Sequence, residues 1–302
     1  MAVPELSGVV VHWHAEEDLA ALAAAWPADP RFELVVVDNG ASRPLWLPAH
    51  VRLVAPGRNL GFAGGLNRGA AEARGAALLL LNPDARPDPG ALAALLEGLA
   101  AYPEAAGLAP RLAGPEGEDQ ARWQLRPLPR LRDLLGQACF LDTPEGPAEA
   151  PPAGSPVAQP AAAALCVRRS AFAAIGGFDE AFFPAWFEDV DFARRAADAG
   201  LRFVTWPAAV FTHGLGGSVA RLGFGPFLVA YTRNLRRYVR KHHGAAAALL
   251  LRLVLPLALL ARLLALPLRR PRRAPTRAAA ARALAAALLA ALAPLPQREP
   301  RR

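Results

Sequence analysis

The sequence has few cysteines, and their positions suggest neither a disulfide framework nor a zinc site. Cys139 and Cys166 are the only two in 302 residues, and they lack the spacing of metal ligands. A reducing compartment is therefore expected. Residues 1–19 also lack a basic stretch followed by a long apolar run, so we expect no secretory signal and a cytoplasmic location.

Acidic residues are almost absent from the C-terminal part of the chain. Residues 1–232 hold 18 Arg and 25 Asp or Glu, a net charge of −7, whereas residues 233–302 hold 16 Lys or Arg and one acid, Glu299, a net charge of +15. Such a division points to an anionic partner for the tail, either nucleic acid or a membrane surface.

The length fits one large domain plus an appendage. We place the domain at 1–244, with a proline-rich, irregular surface loop or lid at about 112–160. Residues 245–302 form a basic, apolar tail that we expect to be helical.

The N-terminal half alternates short apolar runs with helical stretches. We predict strands over 8–12, 32–37, 51–55 and 78–81, with helices over 17–26 and 91–102. This βαβ pattern favours an α/β fold, a mainly parallel sheet flanked by helices. Ligands of such sheets bind at the carboxyl ends of the strands.

Three carboxylates lie in the first turn of a predicted amphipathic helix, directly after Trp186 and Phe187. They are Glu188, Asp189 and Asp191. One acid in a first turn is ordinary, because it complements the helix dipole. Three within four residues repel one another and raise each other's pKa unless a cation or substrate uses them. The pattern therefore indicates a chemical site.

Other polar segments follow predicted strands. Asp38-Asn39-Gly40 follows the second strand, and Asn82-Pro83-Asp84 follows strand 78–81; either could be only a turn. A lone histidine, His213, ends an apolar run and would ordinarily be structural.

Residues 58–69, RNLGFAGGLNRG, are rich in glycine, which lets a backbone approach a ligand closely. We expect a loop there, with a helix over 70–74. The run lacks the Gly-Lys-Ser/Thr ending of a Walker A loop and the order G-x-G-x-x-G of a dinucleotide fingerprint.

In order along the chain, these segments resemble family 2 glycosyltransferases, the inverting GT-A enzymes, and especially their bacterial rhamnosyltransferase-like branch. The resemblance runs from about Val9 to Gly244 and ends in the segment 231–244, which is similar to the family's Tyr-x-Arg-Asn-x-x-Arg-x-x-x-Lys-His. It implies a GT-A (nucleotide-diphospho-sugar transferase) fold with a Rossmann-like sheet.

The resemblance also implies roles for individual residues. Asp189 would be the general base that deprotonates the acceptor hydroxyl, with Glu188 and Asp191 as less favoured alternatives. Asp84 would bind Mg²⁺ or Mn²⁺, with His213 completing the metal shell, and a loop over 214–218 would close over the diphosphate. The implied donor-binding residues are Asp38, Asn39, Arg58, Asn59, Gly61, Gly64, Gly65, Asn67 and Asn82.

The implied partners are a nucleoside-diphosphate sugar donor, with dTDP-L-rhamnose as the first guess, and a lipid-linked or cell-surface glycan acceptor. The apolar stretch 245–268 contains Arg252 and Arg262. Two central arginines cost about 5–7 kcal/mol in a membrane, and the leucines return about 6. We therefore expect a helix that lies on the inner face of the cell membrane, with Arg269, Arg270, Arg272 and Arg273 at anionic headgroups.

Two alternatives belong to other classes. A nucleic-acid-binding protein could use the basic tail, but its arginines alternate with leucine and alanine instead of stacking aromatics, so no nucleic acid is expected. A sugar-nucleotide pyrophosphorylase would need a glycine-rich signature with Arg and Lys after the first strand, and residues 12–17, HWHAEE, do not match it.

Overall fold

The computed structural model describes residues 3–141, 144–214, 221–268, 271 and 274–295. The described residues fall into two compact units. The first draws on residues 1–128, 145–180 and 188–215, and the second on residues 129–144, 181–187 and 216–302.

The first unit contains a large sheet, a small sheet and the helices around them. Its helices are α1 (Glu16–Ala25), α2 (Gly61–Glu72), α3 (Ala91–Ala101), α4 (Ala121–Gln124), α6 (Arg169–Ile175) and α7 (Glu188–Asp198). Its strands are β1 (Leu6–His12), β2 (Phe32–Asp38), β3 (Val51–Val54), β4 (Ala77–Leu81), β5 (Ala85–Pro87), β6 (Gly107–Ala113), β7 (Leu125–Arg126), β8 (Pro156–Val157), β9 (Gln159–Pro160), β10 (Ala164–Arg168) and β11 (Phe203–His213).

The large sheet has the strand order β3-β2-β1-β4-β10-β6-β11-β5, with β8 paired to β11. Strands β1 to β4 are parallel, and β10 runs antiparallel between β4 and β6. Strand β11 is parallel to β6. The carboxyl ends of β1, β2, β4, β6 and β11 therefore share one edge, which we call the carboxyl edge. The mainly parallel α/β sheet predicted from the sequence is confirmed.

Both faces of this sheet are covered. Side chains alternate along a strand, so Val10 of β1 enters the core on one face and Val9 and Val11 enter the core on the other. Leucines of α1 and α3 pack on the first face, whereas α2, α6 and α7 cover the second. Apolar burial on both sides explains why these strands read as nearly continuous apolar runs.

The loop predicted over 58–69 is wrong in part, because α2 begins at Gly61 rather than near residue 70. Asn59 Oδ1 accepts a hydrogen bond from Gly61 N–H (2.8 Å). The glycines then let the helix pack closely on β1: a Cβ at Gly65 would lie 2.7 Å from Val11 Cγ1, and a Cβ at Gly69 would lie 2.4 Å from Val9 Cγ1. Tertiary packing here outweighs the low helix propensity of glycine.

Residues 112–160 are more regular than predicted. Within the first unit they form α4, β7, β8 and β9, and β7 pairs with β9 in an antiparallel register. The Gln124 side chain supports the segment by donating to Pro110 O (2.7 Å) and accepting from Leu112 N–H (3.3 Å). These contacts join residues that are not neighbours in sequence, so the local proline content does not predict them.

The second unit is helical and consists of α5 (Leu131–Ala138), α8 (Phe224–His242), α9 (Gly244–Leu264) and α10 (Arg277–Leu292). Arg236 of α8 donates to the carbonyls of Ala290 (2.6 Å) and Ala293 (2.9 Å), at the end of α10. Because α8 packs with both later helices, the unit begins before Gly244. This grouping differs from the boundary expected at residue 244, and that boundary stays a prediction.

Helix α9 confirms the predicted tail helix and is long and apolar enough to cross a membrane by length and composition. It buries Ala247, Leu251, Leu255 and Leu259. A second set of leucines is exposed, namely Leu249, Leu250, Leu253, Leu257, Leu260 and Leu264. The predicted headgroup-binding arginines 269, 270, 272 and 273 lie outside the described residues.

Candidate active site

The polar group at the carboxyl edge is built around His213, the last residue of β11. Asn82 and Asp84 follow β4, and the Nε2 atom of His213 lies 3.4 Å from both Asn82 Nδ2 and Asp84 Oδ1. The other ring nitrogen, Nδ1, lies 2.9 Å from Gln120 Oε1, while Gln120 Nε2 donates to His213 O (2.9 Å). The structure thus brings together the two predicted metal ligands, Asp84 and His213, and the predicted donor-binding residue Asn82.

This hydrogen-bond pattern fixes how His213 presents its lone pair. Since the amide N–H of Gln120 is used by a carbonyl, its oxygen faces Nδ1, which must therefore carry the proton. In the neutral ring, Nε2 then carries the lone pair, and it lies 3.4 Å from the Asp84 carboxylate. An imidazole nitrogen and a carboxylate oxygen in this arrangement fit a divalent cation of the Mg²⁺ or Mn²⁺ type.

The described residues contain no group of three or more His, Cys, Asp or Glu side chains able to hold a metal ion. Two protein ligands are nevertheless typical of cations that also bind substrate phosphates. The donor set therefore fits a metal whose remaining ligands come from a nucleoside diphosphate.

A second polar group lies at the ends of β1 and β2. Asp38 Oδ1 accepts a hydrogen bond from Gly40 N–H (2.9 Å), which leaves Oδ2 without a hydrogen bond to the described part of the chain. Asn39 is buried, donates to Gly61 O (2.7 Å) and accepts from Leu60 N–H (3.2 Å). Asn39 thus fixes the start of α2 to the carboxyl edge, and Arg58 beside it is exposed.

Asn67 is engaged within the protein. Its amide group donates to Phe178 O and to Glu180 Oε1, both at 2.9 Å, and its oxygen accepts from Phe178 N–H at 2.9 Å. Gly65, as noted above, packs on β1, and a Cβ at Gly64 would lie 3.0 Å from Leu60 Cβ. These contacts give Gly64, Gly65 and Asn67 a packing role; donor binding by them stays a prediction.

The three acids of α7 have different surroundings. Asp191 is fully buried and pairs with Arg195 Nε (2.8 Å). The same arginine donates to the carbonyls of Ile175 (2.5 Å) and Gly177 (2.7 Å). Asp191 therefore orients Arg195 and the glycine turn before α7.

Asp189 is half-buried and accepts a hydrogen bond from Gln159 Nε2 at 3.4 Å and from Val190 N–H at 2.8 Å. Burial raises the pKa of Asp189 above its usual value, against the opposing effects of the Arg126 guanidinium and of backbone N–H groups. Glu188 is buried, and its Oε2 has no hydrogen-bond partner in the described part of the chain. Burial, followed by the Asp189 charge, raises the pKa of Glu188 well above its usual value.

Sequence reasoning missed the segment 120–126, QARWQLR. This segment runs from His213 to strand β9, whose Gln159 contacts Asp189. Gln120 orients His213, and the Trp123 ring lies against the His213 ring at 5.3 Å between centroids. Arg126 comes from the same segment and lies in β7 beside β9. The signal that could have identified this segment is its run of polar and aromatic residues between stretches that contain proline.

Comparisons with known proteins identify the family. Residues 16–148 match the family model described as glycosyl transferase family 2. The chain is 31% identical over 232 residues to the N-acetylglucosaminyl-diphospho-decaprenol L-rhamnosyltransferase of Mycobacterium tuberculosis H37Rv, covering 69% of this chain and 74% of that relative. The chain belongs to glycosyl transferase family 2. It is therefore a glycosyltransferase, and the recognition made from its motifs is confirmed.

Solved structures agree on the fold of this family 2 chain. Residues 1–349 of S. aureus TarS superpose with a TM-score of 0.51 at 14% identity, covering 89% of this chain and 76% of that one. The mannosyltransferase PcManGT from Pyrobaculum calidifontis, in complex with GDP-Man and Mn²⁺, gives a TM-score of 0.51 at 17% identity and covers 96% and 86%. The predicted GT-A fold is confirmed.

The comparisons leave the individual site residues as predictions. The structure groups them at the carboxyl edge and on α7, in the first unit. The predicted loop over the diphosphate begins at Gly214, whose N–H donates to Asp84 O (3.2 Å), but its residues 215–218 lie outside the described chain.

Proposed function

We propose that this family 2 enzyme transfers a 6-deoxyhexose, L-rhamnose, from a nucleoside-diphosphate donor to a sugar hydroxyl of a lipid-linked diphosphate acceptor, with inversion at the anomeric carbon. The M. tuberculosis relative, named for rhamnosyl transfer to N-acetylglucosaminyl-diphospho-decaprenol, supports the transferred sugar and the class of acceptor. The observation that carries the chemistry is the pairing of His213 Nε2 with Asp84 Oδ1 at 3.4 Å, at the edge where parallel sheets bind nucleotides.

In this proposal Asp189 is the general base. Its carboxylate takes the proton from the acceptor hydroxyl as that oxygen attacks the anomeric carbon, while the bond to the diphosphate breaks on the opposite side. A positioned base contributes about 10²–10⁴ in rate. Gln159 holds one carboxylate oxygen and Val190 N–H the other, which restricts rotation of the side chain.

Asp84 and His213 would hold a divalent cation, Mg²⁺ or Mn²⁺, and Asn82 beside them would bind the donor. When bound, such a cation neutralises the negative charge that develops on the departing diphosphate. Gln120 keeps the Nε2 lone pair of His213 directed at that position. Asp38 and the backbone at Gly40 would receive the nucleoside of the donor.

A lipid-linked acceptor requires that the enzyme reach a membrane surface, and the second unit supplies the means. Helix α9 exposes a row of leucines, and residues 233–302 carry a net charge of +15. We propose peripheral attachment to an anionic leaflet on the cytoplasmic side, with α9 lying in the interface.

Donor binding and transfer test this function. Calorimetric titration of the full chain with dTDP-L-rhamnose, UDP-GlcNAc and GDP-mannose, each with and without Mn²⁺, should show Mn²⁺-dependent binding selective for the rhamnose donor. Asp84→Ala should lose the Mn²⁺-dependent part of the affinity, and the matched control Asp198→Ala, an exposed acid paired with Arg194, should keep it.

Product analysis with a synthetic GlcNAc-diphospho-lipid acceptor then tests the reaction. An inverted rhamnosyl product is expected. Selective binding of another donor, or Mn²⁺-dependent affinity that survives in Asp84→Ala, would contradict the donor or the cation assignment respectively.

A further inference from the structure

Arg126 is a charged residue that neither the motif resemblance nor the comparisons assign. It lies in β7, and its register partner in β9 is Gln159. Residues directly opposite each other in an antiparallel pair project from the same face of the sheet, so the two side chains lie side by side. Gln159 in turn donates to Asp189 Oδ2 (3.4 Å). The register therefore places Arg126 beside the residue that donates to the proposed base, and the Arg126 charge lowers the pKa of Asp189.

Arg126 still has an unused donor at this position. Its Nε atom is buried and has no hydrogen-bond partner in the described part of the chain, as is also true of Trp123 Nε1 three residues earlier. A buried guanidinium N–H without a partner is costly. The hydroxyls of a bound sugar or the oxygens of a diphosphate would satisfy it.

The charges around Asp189 explain why a cation is needed there. On its own helix, Glu188 and Asp191 are further acids, and Asp191 is neutralised by Arg195. Helix α7 packs against β9, which presents the neutral Gln159.

Helix α7 also packs against α6, whose Arg169 donates to the carbonyls of Ala70 (3.1 Å) and Gly75 (2.7 Å). Among the described residues, the cation that lowers the pKa of Asp189 is Arg126 on β7.

We propose that Arg126 is a positioning residue of the transfer reaction, which partners the carboxylate of Asp189 through the β7–β9 pair and directs its free Nε–H towards the bound substrates. The proposal rests on the base role given to Asp189 above. Arg126 thereby opposes the rise in the pKa of Asp189 that burial causes.

The test compares Arg126→Met, which removes the charge, with Arg126→Lys, which keeps it, in the full chain. The matched control is Arg122→Met, because Arg122 lies four residues earlier, is exposed, and pairs with the exposed Glu145. The readout is the ¹³Cγ signal of Asp189 in protein labelled at aspartate, identified by its absence from Asp189→Asn, and followed as a function of pH without substrate.

An opposite charge lowers a neighbouring carboxyl pKa, so its removal should raise the titration midpoint of Asp189 by about one unit or more in Arg126→Met. Arg126→Lys and Arg122→Met should titrate close to the wild type, because both keep a positive charge at position 126. Because the lysine variant preserves charge and most of the volume, it also shows whether the site still folds.

The pH profile of kcat supplies a second readout that depends on the proposed function. The acidic limb for Arg126→Met should move to higher pH by the same amount, so turnover should fall by up to about ten-fold on that limb and recover as the pH rises. An unshifted Asp189 titration in Arg126→Met, or an equal shift in Arg122→Met, would overturn the role of Arg126. If Asp189→Asn retains turnover, the base assignment fails, whatever the titration shows.

Discussion

At the scale of single residues, three acids within four positions of one helix perform different tasks. Asp191 is fully buried and neutralised by Arg195, whose remaining N–H groups hold the glycine turn before α7. Glu188 is buried, its Oε2 has no partner in the described part of the chain, and burial raises its pKa well above the usual value. Asp189 keeps some exposure and accepts from Gln159, and on these grounds we propose it as the acid that exchanges a proton with the substrate.

The substitution Asp189→Asn tests this assignment. It keeps the size of the side chain and removes its basicity, so we expect turnover to fall by about 10²–10⁴ while donor affinity stays within about two-fold. Rhamnosyl transfer and calorimetric donor titration measure the two quantities. Asp198→Asn, an exposed acid at the other end of α7, is the control and should retain full turnover. Near-normal turnover in Asp189→Asn would exclude Asp189 as the base.

At the scale of elements, the glycines of α2 matter because of how closely the helix packs on β1. A Cβ at Gly69 would lie 2.4 Å from Val9 Cγ1 and 3.0 Å from Val37 Cγ2, both on buried strands. The glycine-rich segment is therefore required by helix–sheet packing, and Asn39 and Asn59 fix the helix start through their side-chain oxygens.

Replacing Gly69 with alanine should destabilise the protein by about 1–3 kcal/mol, because the new methyl group overpacks the helix–sheet interface. The control is Gly136→Ala in α5, where a Cβ would meet only Leu141 Cβ, at 3.9 Å. That change should leave stability unaltered or raise it by up to about 1 kcal/mol, since alanine is the better helix former. Urea unfolding of both variants measures the difference, and equal effects would argue against the packing explanation.

At the scale of the whole molecule, the charge and the exposed leucines are concentrated in the second unit. The described residues of α8, α9 and α10 include no Asp or Glu, and α9 buries one row of leucines while exposing another. An exposed apolar row within a basic, acid-free segment matches the two requirements of an interfacial helix on anionic lipid.

The double substitution Leu253→Asp, Leu257→Asp should reduce binding to anionic phosphatidylglycerol vesicles by about ten-fold or more, because two exposed anchors become charged. These side chains are 60% and 66% exposed, so thermal unfolding should change little. Leu53→Asp, an exposed leucine of β3 in the first unit, is the control and should bind vesicles as the wild type does. Unchanged vesicle binding by the double variant, or binding of DNA in preference to vesicles, would contradict the proposal that α9 binds a membrane surface.

The sequence by itself determined the α/β class, the family, the strands β1 to β4 to within a few residues, and the helix that begins at Glu188. These features depend on local periodicity and on short motifs, and the order of the motifs along the chain is visible without knowledge of the fold. It also placed Asp84 and His213 in one site, through the resemblance alone; the 3.4 Å contact between them joins the ends of two strands that are not adjacent in sequence.

Only the tertiary structure decided how each polar residue is used. The helix that starts at Gly61, the packing role of Asn67, and the separate partners of Asp189 and Asp191 all depend on contacts with distant elements. The same holds for Gln120, Trp123 and Arg126, which lie in a segment whose proline content predicts an irregular loop. The β7–β9 pairing and the bonds of Gln120 to His213 order that segment, and the physical reason is that hydrogen-bond partners, not local propensity, fix the conformation of a short connection.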